Sequence, residues 1–280
     1  MTDKENYAFD VAGYLIVRDV LTSEEVDACN RALGGADLGS IPLSDPFVRL
    51  RDHPILTQYL DQLIAEEVLL DRGPWVVGER EADRANCLVG GNEPRDPSRA
   101  YYFQNGIKFC QGMLAIWALS DVHPGDGGFV LVPASHKSSV ETPSDLVSGT
   151  DDMGLVSQPV LKAGDLLLCV ETILHGFVPG KEAPRLVAYG YASETALRNL
   201  AQADQSLAEA WASEMTPLQR AVMLPAGCPD HPPVLKSDGE TCEIAETPGI
   251  FHPSIYRRDP DCGMDEKELY QWDLCGHLVL

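Results

Sequence analysis

Short apolar runs separated by glycine and proline fill the middle of the chain and constrain its fold more than any other feature. These runs are Val68–Leu70, Trp75–Val77, Met113–Leu119, Phe129–Val132, Leu166–Val170 and Leu186–Tyr191. Short runs with turn residues between them are typical of the strands of a sandwich or barrel, and not of a parallel sheet with alternating helices. The pattern therefore predicts a mainly β fold.

Helical signals come before these runs. Thr22 followed by Glu25 is a capping-box signal, and Gly34-Gly35 marks the end of the helix that it begins. A second helix is predicted to begin at Pro54, because proline is favoured in the first helical turn. A β-prone run at Gly13–Val17 precedes both. We therefore expect helices that flank the sheet.

Composition and charge narrow the possible partners. The 280 residues carry a formal net charge of −22, which repels nucleic acid and anionic membrane surfaces. The first residues show no basic segment followed by an apolar one, and no apolar run is long enough to span a bilayer. The eight cysteines are scattered without metal-binding spacing. We expect an acidic cytoplasmic protein with a small-molecule partner and reduced cysteines, and the oligomeric state stays open.

The most specific motif begins at Trp117 and ends at Lys137. Its parts, and those that follow it, are Trp117-Ala118-Leu119-Ser120-Asp121, Pro124–Gly128, Pro133-Ala134-Ser135-His136-Lys137, Gly164-Asp165-Leu166, Leu174-His175-Gly176 and Pro184-Arg185. In this order and spacing they resemble the phytanoyl-CoA dioxygenase family of Fe(II)/2-oxoglutarate-dependent oxygenases. Ala134 stands where that family usually has glycine.

The resemblance implies a fold and an activity. The fold would be a double-stranded β-helix (jelly roll, cupin-like) with flanking helices, in a single domain over residues 1–280. Its core would cover about 9–195, with a helical and loop-rich extension at about 196–280. The activity would be oxidation of a small organic or acyl substrate with Fe(II) and 2-oxoglutarate. Phe9–Val17 also resembles Trp272–Leu280, which leaves chance similarity, two equivalent edge strands or a tandem boundary open.

The same resemblance assigns two site residues. Such enzymes hold iron on one face with two histidines and a carboxylate, which leaves the opposite face for the oxoacid and O2. His175 corresponds to the distal iron ligand. Arg185 corresponds to the cofactor-binding residue that meets the distal carboxylate of 2-oxoglutarate, a task that suits the planar guanidinium.

The first histidine of the iron site has no counterpart, since no histidine lies between His53 and His123. In one alignment Leu88-Val89-Gly90-Gly91 matches a Leu-His-Gly-Gly stretch, so Val89 replaces the histidine. In the other, Phe103-Gln104-Asn105-Gly106 matches His-x-Asp-Gly, so both ligands are replaced. Neither valine nor phenylalanine has a lone pair to donate to a metal.

Four other side chains are candidate substitute ligands: Glu93, Asp96, Glu171 and His123. Glu171 precedes His175 by four residues, so both would point to the same side of a continuous strand. His136 is interpreted as a structural hydrogen-bonding residue. The incomplete ligand set leaves a second hypothesis open, in which the jelly roll is non-catalytic and either binds a small acid or lipid or serves in an assembly.

Overall fold

Helices and turns occupy much of the first 64 residues of this computed structural model. The structure describes residues 1–34, 45–64, 68–78, 87–91, 99–104, 107–180 and 184–193. The helices are α1 (Asp3–Ala12), α2 (Ser23–Leu33), α3 (Asp45–Arg51), α4 (Pro54–Leu63) and α5 (Ser144–Val147), with a 3-10 turn at Ser135–Lys137. The predicted C-terminal extension, and with it Trp272–Leu280, lies outside these ranges.

Capping explains where the first helices begin. The Glu25 N–H donates to the Thr22 hydroxyl, and the Thr22 N–H donates to the Glu25 carboxylate, which confirms the predicted capping box of α2. The helix predicted at Pro54 is also confirmed. Thr2 and Glu5 form a further capping box that begins α1, a helix missed by the sequence reasoning. Among the described residues, no helix has the length and apolar character needed to cross a bilayer.

The strands form antiparallel sheets. They are β1 (Tyr14–Val17), β2 (Val68–Val76), β3 (Leu88–Val89), β4 (Tyr101–Gln104), β5 (Ile107–Cys110), β6 (Gly112–Ala118), β7 (Gly128–Leu131), β8 (Leu166–Val170), β9 (His175–Val178) and β10 (Leu186–Ser193). One sheet has the order β1-β8-β6-β10-β2, a second has the order β3-β9-β7, and β4 pairs with β5. The prediction of a strand-rich fold with flanking helices is confirmed.

The five-stranded sheet is covered on both faces. Alternate residues of its central strands, such as Trp117 and Tyr189, pack with the helices. The intervening residues, such as Ile116, pack with Phe129 and Leu131 of the three-stranded sheet. Successive side chains of a strand point to opposite faces, so strands covered on both sides have continuous apolar sequences. This explains why these strands appear in the sequence as unbroken apolar runs.

Strand β2 departs from the prediction. Val68–Leu70 and Trp75–Val77 were expected to be separate strands, but one strand covers Val68–Val76. Its pairing with β10 shifts register on both sides of Gly190, which lies opposite Arg72. A register shift of this kind redirects side chains locally. The sequence pattern was interrupted because Asp71 and Arg72 lie at this irregularity.

Candidate active site

His175 begins β9 and lies on the inner face of the three-stranded sheet. It is paired with Leu131, which belongs to the apolar layer between the two sheets. The Nδ1 atom lies 2.7 Å from the carbonyl oxygen of Ile173, and the ring lies 5.6 Å from that of Phe129. A carbonyl only accepts, so Nδ1 carries the proton in this contact. In the neutral ring Nε2 then has the lone pair, which is the state that a metal-binding histidine requires.

Val89 is the direct cross-strand partner of His175, since β3 pairs with β9 in the register Val89 to His175. The side chains of directly opposite residues lie on the same face of a sheet. Phe103, the position favoured by the other alignment, pairs instead with Lys108 in the separate β4–β5 hairpin. Asn105 lies outside the described residues. The placement of β3 therefore favours the alignment in which Val89 stands where the first histidine would be.

Glu171 occupies a turn, and not the continuous strand that its spacing from His175 led us to expect. Strand β8 ends at Val170 and β9 begins at His175, so the chain reverses between them. The Glu171 N–H donates to the carbonyl of Gly112 at 3.0 Å, which places the turn beside the start of β6. We call this end of the sheets, where β6 begins and β8 ends, the His175 end.

The Glu171 carboxylate is held by two arginines. The guanidinium groups of Arg72 and Arg99 donate to its two oxygens at 2.5 and 2.6 Å. Arg99 also donates to Asp71 at 2.8 Å. Burial alone would lower the pKa of Arg99, but the hydrogen bonds and charges of Asp71 and Glu171 outweigh it and raise that pKa. We call Asp71, Arg72, Arg99 and Glu171 the ion-pair cluster.

Sequence reasoning missed three members of this cluster. The available signal was the Asp71-Arg72 pair between two apolar runs, where charge interrupts an otherwise buried pattern. Arg99 had no signal of its own, because its partner Glu171 is distant in the sequence.

Arg185 and His123 lie at the opposite end of the sheets. The carbonyl of Arg185 accepts from Leu119, just beyond the end of β6, and the Arg185 side chain donates to Asn30 of α2 at 3.1 Å. His123 is exposed in the turn that leads to β7. A Cβ atom on Gly128, the partner of Val178, would lie 2.6 Å from Pro184, so three residue steps of about 3.3 Å along β9, roughly 10 Å, separate His175 from the region of Arg185. The structure does not bring either residue to His175, and their assigned roles remain predictions.

The remaining candidates, Glu93 and Asp96, lie outside the described residues. Within the described ranges, no three side chains of histidine, cysteine, aspartate or glutamate come together in a way that could hold a metal ion. Among the predicted ligands in the described part of the chain, only His175 lies on the inner face of the three-stranded sheet.

His136 fixes helix α1 to the sheets. It is fully buried, its Nε2 lies 3.1 Å from the carbonyl oxygen of Asp10, and Lys137 and Tyr101 donate to the Asp10 carboxylate. Burial lowers the pKa of His136 to about 4. A neutral histidine bonded in this way supports the structural interpretation of the Pro-Ala-Ser-His-Lys element, whose residue Ala134 adopts φ 64°.

Comparison with solved structures adds one further observation. HygX from Streptomyces hygroscopicus with iron bound superposes with a TM-score of 0.54 at 26% identity, over 69% of this chain and 87% of that one. The fold is shared with HygX. The same protein with nickel, 2-oxoglutarate and hygromycin B bound matches at 25% identity and a TM-score of 0.54, over 69% of this chain and 88% of that one.

No protein-family model matches the chain, and no curated protein matches it. The likeness to HygX therefore rests on the arrangement of the strands. HygX binds iron, nickel and 2-oxoglutarate in its crystals. Iron and 2-oxoglutarate are also the metal and the oxoacid that the resemblance of residues 117–185 implies.

Proposed function

We propose that the protein is a double-stranded β-helix of the Fe(II)/2-oxoglutarate oxygenase type that acts on a small organic or acyl molecule. The observation that carries the proposal is His175, which faces the layer between the sheets in a tautomer suited to metal binding. The fold shared with an iron-binding and 2-oxoglutarate-binding protein supports it. In this proposal residues 1–280 form one cytoplasmic domain, and the net charge of −22 argues against nucleic acid and membranes as partners.

The described residues do not fit a complete iron site. A site of two histidines and one carboxylate needs three donors on one face. His175 supplies one, Val89 supplies none, and the Glu171 carboxylate is engaged by two guanidinium groups. Within this proposal Glu93 or Asp96 supplies the missing carboxylate. No catalytic step through iron follows from the geometry of the described residues.

Fit to 2-oxoglutarate is also incomplete at the predicted position. The layer between the sheets is apolar around Leu186, and Arg185 is exposed beside α2. A carboxylate buried in that layer would lack a cation, which is costly in a low dielectric. The anchor role of Arg185 requires its side chain to leave Asn30 and to turn from the side of α2 toward the layer between the sheets when the oxoacid binds.

A second function is favoured by the position of Val89. An aliphatic side chain directly opposite His175 removes a ligand and leaves the β-fold intact, as expected for a non-catalytic descendant that binds a small acid or lipid. Changes to residues that only hold the metal ligands weaken metal binding by roughly 10- to 100-fold. Loss of an imidazole ligand itself should weaken iron binding by more than that.

Anaerobic titration with Fe(II) and 2-oxoglutarate separates the two functions. The oxygenase proposal expects the visible charge-transfer absorption of the iron–oxoacid chelate and one bound iron per chain, both lost in His175→Ala. Absence of the absorption and of bound iron, in protein whose circular dichroism shows the native fold, would leave the non-catalytic function.

A further inference from the structure

The ion-pair cluster has the geometry of a carboxylate-binding site. Two guanidinium groups from different segments, Arg72 on β2 and Arg99 before β4, converge on the two oxygens of one carboxylate. Each guanidinium contributes one charge-assisted hydrogen bond, which is roughly twice as strong as a bond between neutral groups. The carboxylate that they hold here belongs to the protein itself, to Glu171.

The surrounding backbone leaves room for the cluster. A Cβ atom on Gly112 would lie 2.5 Å from the Glu171 carboxylate, and a Cβ atom on Gly190 would lie 2.7 Å from the Arg72 side chain. The register shift of β2 falls at the same place, opposite Gly190. Irregularities of this kind are common beside active sites, where they redirect a side chain. Two strands thus lack side chains where the cluster lies against them.

The cluster lies at the His175 end of the sheets. A Cβ atom on Gly90, which follows Val89, would lie 2.4 Å from the carbonyl oxygen of Ile173 and 3.4 Å from that of Glu171. The strand that bears Val89 and the turn that bears Glu171 are therefore in contact. The side chain of Arg72 is 38% exposed, so a solute can reach the cluster.

We propose that Arg72 and Arg99 bind the carboxylate of a small organic acid, and that Glu171 occupies this site when the acid is absent. The ligand carboxylate takes the place of the Glu171 carboxylate between the two guanidinium groups. This inference deepens the proposed function, because it names the ligand class of the same end of the sheets. A chain with a net charge of −22 repels acids in general, so a local pair of cations is what such a ligand requires.

Binding without metal tests the proposal. Metal-free protein is titrated by calorimetry with 2-oxoglutarate and, separately, with hexanoate, which distinguishes an oxoacid from an acyl acid as the source of the carboxylate. Tryptophan fluorescence gives a second readout, since the Arg72 guanidinium lies 5.8 Å from the Trp75 ring. Trp75→Phe should remove the ligand-induced change in fluorescence while calorimetric binding persists. Binding of either acid supports the site, and binding of neither overturns it.

The variants separate a binding role from a structural one. Glu171→Gln removes the competing charge and should tighten binding by about tenfold, whereas Arg72→Gln and Arg99→Gln should weaken it by roughly 10- to 100-fold. Arg31→Gln on α2 is the matched control and should leave binding unchanged. A merely structural cluster predicts the opposite for Glu171→Gln, namely unchanged or weaker binding, and that result would overturn the proposal.

Two further measurements keep the result interpretable. Since Arg99→Gln leaves Asp71 and Glu171 to share the guanidinium of Arg72, the charge-neutral double variant Glu171→Gln/Arg99→Gln is compared with Glu171→Gln and should bind about tenfold more weakly. Loss of binding in Arg185→Gln alone, with Arg72→Gln and Arg99→Gln unaffected, would also overturn the proposal. Failure of the iron titration leaves these metal-free results untouched, so the two proposals fail independently.

Discussion

Replacement of Val89 by histidine should restore metal binding beside His175. Directly opposite residues of antiparallel strands have Cβ atoms about 4.5–5.5 Å apart, and metal–imidazole bonds are about 2.1 Å long, so two imidazoles at these positions can share one ion. Val89 is 44% exposed, and exposed substitutions usually change stability by no more than about 0.5 kcal/mol. We expect the affinity for Fe(II) to be about 100-fold higher in Val89→His than in the wild type, because a gained ligand should matter at least as much as the roughly 10- to 100-fold effect of changes outside the ligand set.

The assay is anaerobic equilibrium dialysis of Fe(II) against the wild type and Val89→His. Phe103→His is a matched control, because Phe103 is also exposed, at 66%, but pairs with Lys108. Phe103→His also tests the alignment in which Phe103, and not Val89, stands at the position of the first histidine. The double variant Val89→His/His175→Ala should return to wild-type affinity or below, since one of the two imidazoles is again absent.

An unchanged affinity in Val89→His, with the native circular dichroism spectrum, would refute the reasoning from cross-strand pairing. A rise in Phe103→His but not in Val89→His would show that the first ligand position lies in the β4–β5 hairpin.

Two further predictions concern the attachment of α1, and a third, at Gly125 in the turn before β7, is their control. His136 has a folded-state pKa of about 4 against an unfolded value near 6.5, so the unfolded chain binds more protons between these values and the free energy of unfolding falls as pH drops. Chemical denaturation should show a loss of about 3 kcal/mol from pH 7 to 4 from this group, absent in His136→Gln. Gly13→Ala places a Cβ 2.4 Å from His136 Nδ1 and should cost about 2–4 kcal/mol. Gly125→Ala, also at positive φ but with no atom within 4 Å, should cost about 1 kcal/mol, and chemical denaturation measures both glycine variants.

The strands and helices with strong local signals were predictable from sequence. β8 was predicted with its observed bounds, Leu166–Val170, because a strand buried on both faces has a continuous apolar run between turn residues. The capping box at Thr22 placed α2 correctly for a similar reason, since the signal is contained in four adjacent residues. Strands β3 and β9 were missed, because β3 has two residues and β9 has only two large apolar ones, Phe177 and Val178.

The site was less predictable than the fold. The sequence singled out His175 as a candidate ligand and Val89 as one of two candidate positions for the absent one, but the choice between those two depends on which strand pairs with β9. Partners in such pairing are set by tertiary packing and not by local residue type. Glu171 was expected to point with His175 because spacing was applied across a turn, where the alternation of a strand does not hold.

The order of strands in the five-stranded sheet has a consequence for synthesis and folding. β1 pairs with β8 and β2 pairs with β10, so each edge strand leaves the ribosome long before its partner. Until Leu186–Ser193 has been made, β6 lacks one of its neighbours and the apolar surfaces on both sides of the sheet remain exposed. Contacts between distant parts of a chain form slowly and expose surfaces that aggregate. The five-stranded sheet should therefore form cooperatively only after Leu186–Ser193 has been synthesised. Until then the unfinished chain should need protection from aggregation.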